Sequence, residues 1–190
     1  MAPPLLPKLF ELAADQDGLF TAEQASDVGV SKLALNRLVK RAAVTRLGRG
    51  VYRLAQFPAS TREQYREALL WPSVKRREIV PVVLSHATAL LLHGVSDANP
   101  PKIHVTLPPA VRLRKQVPRS VVVHHALFSM NEVTYVDGLP VTTITRTIED
   151  CHEAHLGSQI VGDAIRDSVD KKLLTVDQAR ELAKRLETAL

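Results

Sequence analysis

The chain has a single cysteine, Cys151, among its 190 residues, and no apolar run near the roughly 20 residues that a membrane helix needs. One cysteine cannot form an internal disulfide or supply several thiolates to a structural zinc site. Residues 1–10 also lack the basic start and the long apolar core of a secretory signal. We therefore expect a folded cytoplasmic protein outside the membrane, and a hydrophobic content of 45% is enough for packed cores.

Acidic residues are missing between Val28 and Thr61, although the whole chain contains 20 of them. The formal net charge of the chain is only +5, so the positive charge is concentrated in this window. The window holds the cations Lys32, Arg37, Lys40, Arg41, Arg46, Arg49 and Arg53. A local basic surface is typical of proteins that bind the phosphate backbone of nucleic acids.

The residues before and inside this window carry the signals of two short helices joined by a tight turn. Thr21-Ala22-Glu23-Gln24 is a capping-box pattern, which predicts a helix that starts at Ala22. Gly29 supplies the turn, and Ser31 supplies the N-cap of the next helix. Two helices in this arrangement form a helix-turn-helix unit.

The second of these helices is predicted from Lys32 to about Ala42, with an apolar side that packs and a basic side that can enter a DNA major groove. Asn36 and Arg37 are the candidates for base contacts, because asparagine can pair with adenine and arginine with guanine through two hydrogen bonds. Lys40 and Arg41 are assigned to phosphate contacts.

A wing is predicted after this helix, because two alternating segments, Val44–Leu47 and Val51–Leu54, flank Gly48-Arg49-Gly50. Arg49 would stand at its tip, where it can reach a minor groove or a phosphate. The alternative is an ordinary basic surface or a wing that docks a protein. The predicted DNA-binding residues are Ser31, Lys32, Asn36, Arg37, Lys40, Arg41, Arg46, Arg49 and Arg53.

Residues 1–57 are thus predicted to form a winged helix-turn-helix domain, and residues 58–190 an α+β domain with a small mixed sheet and packed helices. A helix capped at Ser60 or Thr61 is expected to reach about Arg77, with Pro72 kinking or splitting it. Strands are predicted at 79–84, 102–107, 120–126, 132–136 and 140–143. Helices are predicted after Ser85, at 145–154 and 158–169, and from a capping box at 175–178 to Ala189.

A second acid-free stretch runs from Ala98 to Asn131. It is either a second basic surface that meets DNA or a solvated loop. From Glu132 onward the sequence contains eleven acidic and seven basic residues, which gives this segment a net charge of about −4. The charge fits either an acidic surface that binds a basic partner or ordinary solvent-exposed helix surfaces. The cations of the second basic stretch are Lys102, Arg112, Arg114, Lys115 and Arg119.

Enzyme chemistry finds little support in the residue pattern. His86 and His93 are seven positions apart, and no His-x3-His or Cys-x2-Cys pair supports a metal site. His104, His124 and His125 fall on predicted strands and are interpreted as structural or surface residues. Because no Walker-type phosphate loop or magnesium-binding carboxylate cluster is recognisable, we predict a protein that is not an enzyme and uses no metal or cofactor.

Several short motifs follow one another in order along most of the chain. They are Gly18–Thr21, Gly29–Ser31, Arg49–Leu54, Leu84–Ala89, Leu92–Val95, Ile103–Pro108, Gly138–Thr143 and Arg146–Asp150. In this order they resemble the motifs of AbiEi-type antitoxins, which act in type IV toxin-antitoxin systems. The resemblance extends over roughly residues 5 to 155.

This resemblance implies an N-terminal domain that represses its own operon by binding double-stranded DNA at promoter inverted repeats. It also implies a C-terminal domain that neutralises a nucleotidyltransferase-like toxin. A stand-alone winged-helix regulator without a toxin is the alternative. A remnant of an endonuclease-like protein is another, because some longer chains similar in the middle region continue into an endonuclease-like domain.

Overall fold

The computed structural model describes residues 5–48, 50–74, 80–113 and 116–187, and these form two compact units that divide between Val80 and Pro81. The elements of the first unit are α1 (Leu5–Ala13), β1 (Leu19–Thr21), α2 (Ala22–Asp27), α3 (Lys32–Lys40), β2 (Val44–Arg46), β3 (Val51–Leu54) and α4 (Glu63–Leu70). Its three strands form an antiparallel sheet in the order β1-β3-β2.

The caps that predicted the helix-turn-helix are present in the structure. The Thr21 hydroxyl accepts a hydrogen bond from the Gln24 amide at 3.2 Å, and the Gln24 side-chain oxygen accepts one from the Thr21 amide at 2.8 Å. Gly29 has a φ of +86° in the turn, and the Ser31 hydroxyl caps α3 by accepting from Ala34. The predicted winged helix-turn-helix fold is confirmed, with α2 and α3 as its helices and the β2–β3 hairpin as its wing.

The N-terminal sheet is covered on both faces. Phe20, Tyr52 and Leu54 pack toward the helices, in the cluster that also buries Leu35 of α3. On the other face, Val51 belongs to a separate cluster that includes Leu19, Leu70 and Val74. Helix α4 and the turn after it therefore complete the core of the first unit.

This packing explains where α4 and the unit end. The helix starts at Glu63 after an N-cap at Arg62, not after a cap at Ser60 or Thr61, and it ends at Leu70 in a 3-10 turn, Trp71–Ser73, that contains Pro72. The compact unit extends to Val80, beyond the boundary predicted at residues 57 and 58, because Leu70 and Val74 pack on β1 and β3. The end predicted at Arg77 lies outside the described residues.

The second unit contains a mixed five-stranded sheet, which confirms the mixed sheet predicted from the sequence. Its elements are β4 (Val83–Leu84), α5 (His86–His93), β5 (Ile103–Leu107), β6 (Val121–His125), β7 (Val133–Val136), β8 (Leu139–Thr142), α6 (Ile144–Glu153), α7 (Ser158–Asp170) and α8 (Val176–Arg185). The strand order is β6-β5-β4-β8-β7. The β4–β8 and β5–β6 pairs are parallel, and the β4–β5 and β7–β8 pairs are antiparallel.

The helices of this unit build its main core, in which Ile148, Ile165 and Leu182 are buried together with Cys151. Burial raises the pKa of the Cys151 thiol to about 12. The predicted tight connection is present between β7 and β8, where Asp137 and Gly138 both have positive φ. Within the ranges that the structure describes, every helix is too short or too polar to cross a membrane.

Candidate nucleic-acid interface

Helix α3 presents one continuous outward face. Leu33, Asn36, Arg37 and Lys40 follow the spacing i, i+3, i+4 and i+7, which places them on one side of a helix, and all four are exposed. Leu35 lies on the opposite side and is only 1% exposed. The apolar side therefore anchors α3 in the core and leaves a mostly polar and basic face toward solvent.

The wing adjoins this face and encloses a cleft with it. Arg46 of β2 pairs with Tyr52 of β3 in the sheet register, so both side chains are on the sheet face that turns toward α3. Tyr52 is fixed below the cleft by a stacked contact with Phe20, with ring centroids 5.9 Å apart. The cleft is lined by Leu33, Asn36, Arg37, Val39, Lys40, Arg46 and Tyr52.

The cations around this cleft are available to a partner. Among the residues that the structure describes, no carboxylate forms an ion pair with Lys32, Arg37, Lys40 or Arg41. Arg46 is also exposed, and its Nε donates to the backbone oxygen of Gly48 at 3.2 Å, which steadies the side chain along the wing. An unpaired basic surface of this kind attracts phosphate groups.

The turn of the wing depends on glycine at Gly50. Its φ is +86°, and a Cβ added there would overlap the side chain of Val74. Arg49, the predicted tip residue, lies outside the described residues. The hydroxyl of Ser31 serves as the N-cap acceptor of α3, and the residue itself is exposed beside Lys32.

Arg53 differs from the other predicted contact residues. It alternates with Tyr52 along β3, so it points to the opposite face of the sheet, where its guanidinium forms an ion pair with Glu63 of α4. Its side chain is only 15% exposed. The structure therefore places Arg53 apart from the cleft, and the alternation of the strand could have shown this from the sequence.

Sequence reasoning also missed three residues of the cleft. Leu33 and Val39 line it from α3, and Tyr52 lines it from the wing. The helical spacing of Leu33 with Asn36, Arg37 and Lys40 is the signal that could have found it. Tyr52 gave no comparable signal, because its position beneath the cleft depends on the register between β2 and β3.

The second basic stretch lies in the second unit. Lys102 precedes β5, and Arg119 precedes β6, so both lie at the same end of this parallel strand pair. Lys102, Arg112 and Arg119 are exposed. Arg114 and Lys115 lie outside the described residues.

Three histidines of the second unit come together, which the sequence did not predict. The His104 Nδ1 lies 3.0 Å from the His124 Nε2, and the ring of His86 stacks on that of His124 with centroids 3.5 Å apart. Burial, together with the neighbouring imidazoles, lowers the pKa of His86 to about 3 and that of His124 to about 4. Among the described residues, no group of three or more His, Cys, Asp or Glu side chains is arranged to hold a metal ion.

Two of the acidic residues from Glu132 onward form ion pairs within the second unit. Arg146 donates from Nη1 to Glu132 and from Nε to Asp150, both at 2.7 Å. Hydrogen bonds from Ser129 and then from Arg146 hold the pKa of Glu132 near 2, whereas burial raises the pKa of Asp150. These two carboxylates therefore fasten α6 to the turn before β7, and they do not form an open acidic face.

Helix α3 and the wing share a basic cleft, and no described carboxylate pairs with the cations around it. This arrangement is typical of the winged-helix class of DNA-binding regulators. Within this class, residues 7–55 match the family model described as transcriptional regulator, AbiEi antitoxin. The match confirms the resemblance predicted from the sequence over these residues. The motifs after residue 55 lie beyond it, so their resemblance stays a prediction.

The fold of the chain is also similar to that of a known structure, the crystal structure of the RV2827C protein from Mycobacterium tuberculosis. The TM-score is 0.57 at 16% sequence identity, and the alignment covers 97% of this chain and 72% of the other. This likeness concerns the fold alone. No curated protein matches the sequence.

Proposed function

We propose that this protein is a sequence-specific DNA-binding autorepressor and antitoxin of a type IV toxin-antitoxin system. The observation that supports the DNA-binding part is the cleft between α3 and the wing, which gathers Asn36, Arg37, Lys40 and Arg46. None of the carboxylates that the structure describes forms an ion pair with these cations. The family match over residues 7–55 supports the regulator class. The proposed role requires no catalytic residue and no cofactor, and it is exerted on DNA in the cytoplasm.

In this mechanism α3 enters the major groove, which is wide enough to admit a helix. Asn36 and Arg37 point outward from the middle of α3 and read base edges by paired hydrogen bonds. Lys40, Arg41 and Arg46 bind phosphates on either side of the groove and fix the register of the helix. Arg49, which the sequence predicts at the tip of the wing, is proposed to add a contact to the minor groove or to phosphate.

The second unit is assigned the antitoxin role by the resemblance of its motifs, with a nucleotidyltransferase-like toxin as its partner. Repression at promoter inverted repeats is assigned on the same basis. The second basic stretch, with Lys102, Arg112 and Arg119 exposed, offers DNA or the partner a further contact.

The DNA-binding proposal is tested by fluorescence anisotropy with the full-length protein at about 50 and 200 mM salt. The probes are a duplex from its own upstream region and a shuffled duplex of equal composition. We expect preference for the upstream duplex and a loss of affinity between the two salt concentrations of roughly 100-fold if four phosphates are contacted. Equal binding to both duplexes would contradict sequence-specific repression at that site.

The antitoxin role is tested by co-expression with a nucleotidyltransferase-like protein encoded beside this chain. We expect the full-length protein to restore growth, and a double variant, Asn36→Ala with Arg37→Ala, to restore growth without repressing the promoter. DNA binding without growth rescue would favour the alternative, a stand-alone winged-helix regulator.

A further inference from the structure

We infer that Leu33 is a specificity-determining residue whose side chain packs against the C5 methyl group of a thymine in the major groove. The inference rests on the proposed DNA-binding function and deepens it, because it names a base that α3 reads.

Leu33 stands on the face of α3 that would meet DNA. It precedes Asn36 and Arg37 by three and four positions, so the three side chains are neighbours on the helix surface. Its side is opposite to Leu35, which anchors α3 in the core. Leu33 is therefore an apolar residue in the outward stripe and has no role in the core of the unit.

Leu33 is unusually exposed for a large apolar side chain. It is 62% exposed, whereas Phe10, the other exposed large hydrophobic residue described in the first unit, is 45% exposed and contacts the ring of Phe57. Leu33 instead borders a cleft that also contains Asn36, Arg37, Lys40 and Arg46. Water-exposed apolar area is unfavourable, and a bound partner that covers it would recover that free energy.

The chemistry of the major groove identifies what would cover it. Thymine presents a methyl group there, and apolar side chains contact this methyl while hydrogen-bonding side chains read the other bases. Leu33 is the second residue of α3, and in helix-turn-helix proteins the N-terminal residues of the recognition helix reach the base edges. Leu33 and Asn36 would thus read adjacent features of one short site, one by shape and the other by hydrogen bonds.

The test uses the full-length protein and a duplex that it enriches from a random-sequence pool. Each thymine of the enriched duplex is replaced singly by deoxyuridine, which lacks only the methyl group, and the Kd is measured by fluorescence anisotropy. We expect a thymine at a fixed position whose replacement weakens binding about three- to fivefold, as burial of one methyl group predicts.

Leu33→Ala should bind the enriched duplex about as weakly as the wild type binds the deoxyuridine duplex, and it should not distinguish the two bases. Leu127→Ala is the matched control, since Leu127 is 78% exposed in the second unit, and it should retain the discrimination. Leu33 is exposed and alanine favours helices, so the variant should fold, which thermal melting followed by circular dichroism checks.

Three results would overturn the inference: an enriched duplex without a fixed thymine, a wild type indifferent to every deoxyuridine, or a Leu33→Ala variant that keeps the methyl discrimination. Weaker binding to all duplexes with discrimination intact would assign Leu33 to another contact. Failure of the proposed function itself has a different signature, since no sequence would then be enriched from the pool at all.

Discussion

The guanidinium of Arg53 on β3 donates a hydrogen bond to the carboxylate of Glu63 on α4, across the sheet face that is turned away from the cleft. Glu63 is the first acidic residue after the acid-free window, and Arg53 is the last cation of that window that was predicted to bind DNA. The pair joins the wing strand to α4, and both side chains are mostly buried, at 15% and 23% exposure. The window therefore contains two kinds of cation, one that stabilises the fold and one that is open to solvent.

This division predicts different outcomes for two arginines of the same hairpin. Arg53→Gln should lower the free energy of unfolding by about 1–3 kcal/mol, because it leaves the Glu63 carboxylate without its charged donor. Arg46→Gln should leave stability nearly unchanged, because Arg46 is exposed. Chemical denaturation of both variants checks this, and a stable Arg53→Gln that has lost DNA affinity would reverse the assignment.

Phosphate contacts predict an effect on the salt dependence of binding. In a double variant, Lys40→Gln with Arg46→Gln, all duplexes should bind more weakly, and the slope of log K against log salt should flatten by about 1.8, or 0.9 for each contact. The measurement is anisotropy across a salt series. Arg180→Gln with Lys184→Gln removes two exposed charges of α8 as a matched control and should keep the slope. An unchanged slope in the first variant would exclude both phosphate contacts.

Base contacts predict a loss that depends on sequence. Asn36→Ala and Arg37→Ala should each weaken binding to the upstream duplex by about 1–3 kcal/mol and change binding to shuffled DNA much less. Both residues are exposed on α3 and lie outside the hydrophobic core of the first unit as far as the structure describes it, so the variants should fold. Titration of each variant against both duplexes decides the point, and equal losses on the two would reassign the residue to the DNA backbone.

Much of the N-terminal fold could be predicted because its signals are local. The capping box at Thr21, the N-cap at Ser31 and the apolar spacing of α3 each depend on residues within one or two turns. The course of α4 was harder to predict, because its packing against Val51 and Leu19 depends on contacts distant in sequence. For Arg53, the alternation of β3 indicates the sheet face from the sequence, but its ion pair with Glu63 could not be predicted, since Glu63 belongs to another element.

The histidines illustrate the same limit in the second unit. His86, His104 and His124 come from α5, β5 and β6, and only the parallel pairing of β5 with β6 brings His104 beside His124. Their spacing along the chain fits no recognisable motif. Spacing rules find sites built within one element, whereas this cluster is assembled by the topology of the sheet.

The cluster predicts that stability decreases in mild acid. His86 and His124 have folded-state pKa values of about 3 and 4, below the ordinary 6.5, so the unfolded chain binds more protons as the pH falls below 6.5. The free energy of unfolding of the second unit should therefore fall between pH 6.5 and 5. The free energy of unfolding changes by at most about 1.4 kcal/mol per pH unit for each extra proton that the unfolded chain binds, and by less for His124, whose ring is partly exposed to solvent.

Denaturant unfolding at intervals from pH 7 to 5 measures this slope. His86→Asn should flatten it, and asparagine tolerates the φ of 53° found at this position. Protonation of Glu132 in the unfolded chain also lowers the free energy of unfolding in acid, but only below about pH 4.5, because the folded-state pKa of Glu132 is about 2 and its ordinary pKa is 4.5. The exposed His155→Gln is the control that should retain the wild-type slope. An equally steep slope in His86→Asn would show that the stacked histidines do not destabilise the fold in acid.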